Sequence, residues 1–187
     1  ALNREGEHTG FSKAADEVLN CLNRDFRDMH ELTGDNATLV ICGHSRGGAV
    51  GNLLAKRLLD SWANAERLFC YNFSCPDTAR YEDVDWTRDG LYNGIFNLSD
   101  VWDFISWMPG ILGDLTGFGT GLITSFNGGE AFASWGKFGR SYWFENEDGG
   151  ANIDPFGGHS YMSCLDFFSS LPKLDEFMSG GEGMFFR

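Results

Sequence analysis

The feature that most constrains this chain is the stretch TLVICGHSRGGAVGNLLAKRL, which runs from Thr38 to Leu58. Its first part, Thr38 to Cys42, is short and uncharged and includes the β-branched Val40 and Ile41, which is typical of a strand in a sheet covered on both faces. From Arg46 onward the period changes, and apolar residues recur at the helical positions Val50, Leu53, Leu54 and Leu58. The stretch therefore predicts a strand that is followed at once by a helix, with a sharp turn between them.

The residues of that turn form the pattern G-x-S-x-G, with Gly43, Ser45 and Gly47 at its fixed positions. A side chain held in strained backbone geometry between a strand and a helix is expected to need neighbours without a Cβ. This arrangement is the nucleophile elbow, which presents a serine at the edge of a sheet. The pattern alone is weak evidence, but its place between a predicted strand and a predicted helix makes it a strong indication of a nucleophilic serine.

The composition excludes several classes of protein. At 187 residues the chain is long enough for one domain with a sizeable core. A formal net charge of −13 argues against nucleic acid as a partner, because no basic face is available to meet phosphates. No segment approaches the run of about 18 apolar residues that spans a membrane. No signal peptide opens the chain either, but a sequence that begins at Ala1 can have been trimmed, so a cytoplasmic and a secreted location both stay open.

The five cysteines give no metal or redox motif. They stand at Cys21, Cys42, Cys70, Cys75 and Cys164, without a C-x-x-C pair, and their odd number leaves at least one unpaired. We expect reduced thiols, with Cys42 as a small buried residue of the strand before the elbow. Because no cluster of histidine, cysteine and carboxylate ligands is evident, we expect neither a metal nor an organic cofactor.

The rest of the chain alternates helical and extended segments, which predicts an α/β domain with a mainly parallel sheet. We expect a helix over 11–30, strands over 67–75, 92–98 and 139–147, and a closing helix over 160–171. Glycines and scattered apolar residues break this rhythm over 109–136, which forms either an apolar flap near the site or an insertion packed as ordinary core. The tail over 172–187 carries no recognisable pattern.

A serine becomes a nucleophile at neutral pH only when a base lies within hydrogen-bond reach and a carboxylate orients that base. The chain has four histidines. His44 lies inside the elbow and is expected to point away from the serine as a packing residue. His8 and His30 precede the serine, whereas enzymes with such an elbow follow the chain order Ser, acid, His. His159, which follows two glycines and precedes the last predicted helix, is therefore the candidate base.

At this point the sequence resembles the class 3 lipases, the fungal-lipase-like branch of the α/β-hydrolases. The resemblance is carried, in order, by EHTGFSKAADEVL, VICGHSRGGAVGNLLA, YNFSCP, FNLSDVWDFISWMP and GGHSYM, and it extends from His8 to about Phe168. It implies an α/β-hydrolase fold in which a mainly parallel sheet is flanked by helices. It also implies a serine esterase that cleaves carboxylic esters of lipids or other apolar acyl groups through an acyl-enzyme.

Mapped residue by residue, the resemblance implies that Ser45 is the nucleophile and His159 the general base. The family's acid is followed by Ile or Val two residues on and by Pro six residues on, which selects Asp103. Asp100 is kept as the alternative acid. The family usually has Leu after the serine, but this chain has Arg46, whose backbone N–H is expected to donate to the oxyanion. The Arg46 side chain is either a cation near the site or a surface arginine paired with a carboxylate.

The beginning of the chain departs from the family pattern. The second oxyanion donor comes from a loop upstream of the H-x-G-F helix, and only seven residues precede His8. We therefore expect a hydrolase domain over 1–171 that lacks its N-terminal strands, with a sheet edge left open to a homo-oligomer. The alternative is that the oxyanion hole is completed by a different donor within this chain. Two alternatives stay open, a phospholipase and a non-catalytic module that binds lipid or a protein partner. A lipid surface would be contacted through 109–136.

Overall fold

The computed structural model describes residue 3, residues 5–25, 38–61, 63–80, 88–100, 103–107 and 135–144, and residue 159. Its helices are α1 (Thr9–Asp25) and α2 (Arg46–Ser61), and its strands are β1 (Leu39–His44), β2 (Leu68–Phe73), β3 (Ala79–Arg80), β4 (Ile95–Asp100), β5 (Trp135–Gly136) and β6 (Arg140–Phe144). Short 3₁₀ turns lie at Arg88–Gly90 and Phe104–Trp107.

The larger sheet has four strands in the order β1-β2-β4-β6, and all neighbours in it are parallel. Parallel neighbours need a crossover connection, and α2 supplies the one between β1 and β2. The strands end at the same edge of the sheet, where β1 stops at His44 and β4 stops at Asp100. The predicted α/β architecture with a parallel sheet is confirmed, and it brings the elbow and the segment after β4 to one edge.

The apolar side of α2 packs on one face of this sheet, and α1 packs against α2. The buried core of that face includes Ala15 of α1, Leu53 and Leu58 of α2, and Leu68 and Ile95 of the strands. Burial of a leucine-sized side chain contributes about 1.5 to 3 kcal/mol, so this layer stabilises the packing of α2 on the sheet.

The opposite face of the sheet carries an aromatic row. Tyr71 stacks on Phe96 with ring centroids 5.2 Å apart, and Tyr142 follows at 6.1 Å from Phe96. Val40 and Cys42 point away from the core-facing Leu39 and Ile41 of β1, and Val40 is 56% exposed. The expectation of a strand covered on both faces, with a buried Cys42, is therefore wrong for β1: it is the edge strand of the described sheet, and Cys42 is exposed.

A buried amide network ties α2 to the sheet. Asn52 Nδ2 donates to Asn97 Oδ1 at 3.1 Å and to Phe138 O at 2.8 Å, and Asn72 Nδ2 donates to Asn97 Oδ1 at 3.0 Å. Thr78 Oγ1 donates to Asn52 Oδ1 at 3.0 Å. Buried polar groups are costly unless they are paired, and in a low dielectric such paired amides fix one packing arrangement. The network therefore sets the register of α2 against β2, β4 and the segment before β6.

A second, two-stranded sheet joins β3 to β5 in antiparallel pairing, with Ala79 opposite Gly136. Thr78 N–H donates to Gly136 O at 2.7 Å, which extends that pairing. The last residues of the predicted insertion over 109–136 are thus strand β5. The rest of the insertion, the predicted helix over 160–171 and the tail over 172–187 lie outside the described residues, so the domain boundaries stay predictions.

The described cysteines are free thiols, as the sequence predicts, while Cys164 lies outside the described residues. Cys21 and Cys42 are exposed, and Cys70 and Cys75 are buried. Burial raises the pKa of both the Cys70 and the Cys75 thiol to about 12, so both stay protonated at neutral pH. Neither described helix is long and apolar enough to cross a bilayer.

Candidate active site

Ser45 lies at the strained turn between β1 and α2. Its φ is 55°, in the left-handed region that residues with a side chain rarely adopt. The Ser45 N–H donates to Phe73 O at 2.9 Å, and the Ser45 carbonyl accepts the N–H of Ala49 at 3.1 Å. Because these bonds hold the residue to β2 on one side and to the first turn of α2 on the other, the strained backbone persists in the folded chain. The serine is thereby presented at the carboxyl edge of the sheet.

The glycines around the serine are not equivalent. A Cβ added to Gly43 would lie 2.4 Å from the Gly47 carbonyl oxygen, whereas a Cβ on Gly47 would meet nothing within 4 Å. A Cβ on Gly48 would lie 3.2 Å from the Cys75 Cβ. The expectation that the turn needs glycine on both sides of the serine is correct at Gly43, where there is no room for a Cβ, and wrong at Gly47, where there is room. The second tight position is Gly48, because the first turn of α2 directs residue 47 into open space.

We expect Gly43→Ala to lower the free energy of unfolding by about 3 kcal/mol, because the added methyl group would force the elbow backbone to move. Gly47→Ala is the matched control, since alanine has open space there and is a better helix former by about 1 kcal/mol. Urea denaturation of both variants measures the difference. Equal stability of the two variants would contradict the close contact at Gly43.

His159 lies between the elbow and the segment after β4. Its Nε2 is 2.7 Å from Ser45 Oγ, and its Nδ1 is 3.0 Å from Asp103 Oδ1. The carboxylate can only accept, so Nδ1–H donates to Asp103 and Nε2 is left to accept the serine hydroxyl. The structure thus brings the three residues that the sequence singles out into one row of hydrogen bonds. Asp100, the alternative acid, is buried at the end of β4, and its carbonyl accepts the N–H of Asp103 at 3.0 Å.

Asp103 is fully buried and well supplied with donors. Ser106 Oγ donates to its Oδ2 at 2.5 Å and the Ile105 N–H donates to its Oδ1 at 3.0 Å, while the Ser74 hydroxyl provides a further hydrogen bond. Burial opposes ionisation, but the hydrogen bonds from His159, Ser106 and Ser74 outweigh it and hold the pKa of Asp103 below its usual value. The carboxylate is therefore ionised at neutral pH, although it is buried.

Sequence reasoning missed Ser74 and Ser106 as partners of the acid. The one available signal is the spacing of three residues between Asp103 and Ser106, which lets a serine at the end of a helical turn reach back to the carboxylate. Ser74 lies far from Asp103 in the chain, and no local pattern connects the two.

His44 is more than a packing residue, and the expectation of a packing role alone is wrong. Its Nε2 lies 2.9 Å from the carbonyl oxygen of His159, and the two rings are 5.2 Å apart between centroids. The carbonyl can only accept, so His44 donates from Nε2. Because β1 ends at His44, the ring reaches past the strand end to the edge where His159 lies.

Arg46 is the first residue of α2, and its side chain is exposed. The first N–H groups of a helix have no partner within the helix, and the helix dipole makes this end partly positive. The Arg46 N–H, directly after Ser45, therefore belongs to a group of donors suited to an anion at the elbow. Among the described residues, no group of three or more His, Cys, Asp or Glu side chains is placed to hold a metal ion.

The parallel sheet, the strained serine at its carboxyl edge and the chain order Ser, Asp, His define an α/β-hydrolase fold. Solved structures share it. Lipase II from Rhizopus niveus aligns with a TM-score of 0.54 at 15% identity, over 76% of this chain and 46% of its own. The triacylglyceride lipase of Rhizomucor miehei aligns at 0.52 and 20% identity, over 75% and 45%. A mutant of MDLA from Penicillium cyclopium aligns at 0.53 and 16%, over 95% and 60%.

The family model for lipase (class 3) matches residues 5–113, which is more than half of the chain. The chain therefore belongs to the class 3 lipase family. No curated protein sequence is similar enough to the chain to count as a match. The chain spans about half the length of the Rhizopus niveus and Rhizomucor miehei lipases.

Proposed function

We propose that this chain is a serine hydrolase of carboxylic esters, of the lipase or esterase type. The observation that carries the proposal is the unbroken row of contacts from Ser45 Oγ to His159 Nε2 at 2.7 Å and from His159 Nδ1 to Asp103 Oδ1 at 3.0 Å. A nucleophile, a base in hydrogen-bond contact with it and a carboxylate that orients the base are what acyl transfer through serine requires.

In this mechanism Ser45 Oγ attacks the ester carbonyl while His159 Nε2 takes the hydroxyl proton. The imidazolium that forms is stabilised by the ionised Asp103, and it then protonates the leaving alcohol as the ester C–O bond breaks. The acyl group stays on Ser45 as an ester. Water next attacks that ester, with His159 again taking the proton, and the free acid leaves as the serine recovers its hydrogen.

The negative charge of each tetrahedral intermediate needs donors aimed at it. We assign the Arg46 backbone N–H to this role, because it follows the nucleophile directly and lies at the N-terminus of α2. A backbone donor at a helix end is fixed in place before the reaction begins, so it does not have to reorganise as charge develops. Removal of one such donor typically costs about 10²- to 10³-fold in kcat.

The substrate class we propose is an ester with a lipid or other apolar acyl group. Membership of the class 3 lipase family supports it, and the structural relative from Rhizomucor miehei is a triacylglyceride lipase. A phospholipase that releases an acyl chain would use the same three side chains, because it too cleaves a carboxylic ester. A series of soluble esters of increasing acyl length, measured beside a phospholipid, separates these substrates by their kcat/KM.

A fluorophosphonate probe tests the proposal against a non-catalytic, lipid-binding module, because only an activated serine reacts with such a probe. We expect covalent labelling of the wild-type chain and none of Ser45→Ala, read by intact-protein mass spectrometry. Ser61→Ala is the matched control, since Ser61 is an exposed serine at the far end of α2. A folded wild-type chain that stays unlabelled would favour the binding module.

A further inference from the structure

A buried lysine, Lys137, lies close to the segments that hold the acid of the candidate site. It stands between β5 and β6, and only 4% of its side chain is exposed. Its Nζ donates to Cys75 O at 2.6 Å and to Ser106 O at 2.7 Å, and it pairs with Asp77 Oδ1 at 3.2 Å. An ammonium has three protons, so these three acceptors account for all of its donors.

The two carbonyls that bind Lys137 belong to the segments that donate to Asp103. Ser106 supplies one of those carbonyls, and its own hydroxyl donates to Asp103 Oδ2 at 2.5 Å. Cys75 supplies the other, and the residue before it, Ser74, hydrogen-bonds the same carboxylate. The Lys137 ammonium therefore joins the two segments whose serine hydroxyl groups hydrogen-bond Asp103.

Lys137 is itself held in place on both sides along the chain. Gly136 pairs with Ala79 in the small sheet and accepts the N–H of Thr78 at 2.7 Å. On the other side, the Phe138 N–H donates to Asn52 Oδ1 at 3.2 Å within the buried amide network. Since both neighbouring residues are fixed to the core, the Lys137 stem emerges from a rigid backbone.

A buried ammonium is costly unless it is fully paired, so a lysine is a poor choice for packing alone. Asp77 opposite it is also buried, and burial raises the pKa of Asp77, an effect that the Lys137 charge offsets in part. The Trp143 ring lies 5.5 Å from Nζ and covers the cation from another direction. The chain thus buries the fully paired Lys137 ammonium, at a cost in desolvation, where an apolar side chain would fill the same space.

We propose that Lys137 is a positioning residue for the acid: its ammonium clamps the Ser106 turn to the Cys75 segment and so keeps Asp103 in the geometry that orients His159. The inference rests on the proposed function, because the position of Asp103 affects turnover only if Asp103 acts on His159. Lys137 Nζ binds Cys75 O, Ser106 O and Asp77, so its proposed effect on turnover is exerted through Asp103 and not on the nucleophile or the acyl group directly.

Lys137→Met, which keeps the length of the stem and removes the donors, tests the clamp. We expect kcat on an activated soluble ester to fall about 10²-fold, the cost of a displacement of about 1 Å in a catalytic group, with KM unchanged. Lys137→Arg keeps the cation, but its planar fork does not place one nitrogen between both carbonyls, so we expect a loss of about tenfold. Lys13→Met is the matched control and should retain the wild-type kcat, since Lys13 is an exposed lysine of α1.

The same substitutions in an Asp103→Asn background separate positioning from a general effect on the fold. If Lys137 acts through the acid, neither substitution lowers kcat further once the acid is gone. The proposal is overturned if either variant keeps the wild-type kcat, or if its loss recurs at full size in the Asp103→Asn background. If Lys137→Met does not fold, Lys137→Arg is compared in the wild-type and Asp103→Asn backgrounds, and the same two outcomes overturn the proposal. A wild-type rate in Asp103→Asn itself would instead overturn the proposed function.

Discussion

Replacement of Ser45 by alanine is expected to lower kcat for an activated ester by about 10⁶-fold, the loss that follows when the nucleophile of a serine hydrolase is removed. The chain should stay folded, because Ser45 is tied to β2 and α2 through its backbone N–H and carbonyl, which alanine retains. The rate at which carboxylic acid is released from the ester measures the loss of kcat, and thermal unfolding of the same variant measures whether the fold is retained.

His159→Ala should cost about as much as Ser45→Ala, and the double variant should cost little more than either alone, because the two side chains act as one unit. Ser61→Ala, at the far end of α2, controls for the loss of a serine hydroxyl elsewhere in the chain. A Ser45→Ala chain that retained more than about a hundredth of the wild-type rate would place the nucleophile elsewhere. A loss of less than about 100-fold is too small for the removal of a covalent nucleophile.

Asp103→Asn is expected to lower kcat by about 10⁴-fold, because an amide at this position can donate to His159 Nδ1 and hold the imidazole in the wrong tautomer. Asp100→Asn is the matched comparison, since Asp100 is equally buried and lies three residues earlier. We expect its kcat, corrected for the folded fraction, to stay within about tenfold of the wild type. A larger loss in Asp100→Asn than in Asp103→Asn would reverse the assignment of the acid.

The lowered pKa of Asp103 adds a second, independent readout on stability. A carboxyl group whose pKa is depressed in the folded chain stabilises the fold above its unfolded pKa, near 3.9, and that stabilisation is lost as the pH falls through the lower folded pKa. Asn cannot titrate, so the difference in unfolding free energy between the wild type and Asp103→Asn should be constant near neutral pH and should narrow below about pH 4. Urea denaturation along a pH series measures this.

The elbow could be predicted from the sequence because its signals are local. A β-branched run, two glycines around Ser45 and a helical repeat after it specify a strand, a turn and a helix within twenty-one residues. The contact between Asp103 and His159 could be anticipated from chain order and from the resemblance to the class 3 lipases, whose spacing pattern selects Asp103, although the two residues lie 56 positions apart.

The features that were missed join residues without any shared local pattern. Lys137 reaches the Ser106 carbonyl over 31 positions, and Asn52 reaches the Phe138 carbonyl over 86. An isolated lysine or asparagine in a sequence does not indicate which carbonyl will satisfy it. The error at Cys42 has a related cause, because an apolar strand pattern does not show which face of a sheet the helices will cover.

At Ser45 the left-handed backbone favours glycine for stability, whereas the proposed chemistry requires a serine side chain at the same position. Glycine would adopt a φ of 55° without steric penalty, whereas serine keeps the proposed nucleophile at a conformational cost of the order of 1 kcal/mol. In directed evolution, a selection for heat resistance alone would therefore favour glycine at this position and discard the reactive group. Libraries of this chain should accordingly be screened for turnover and for melting temperature in the same round.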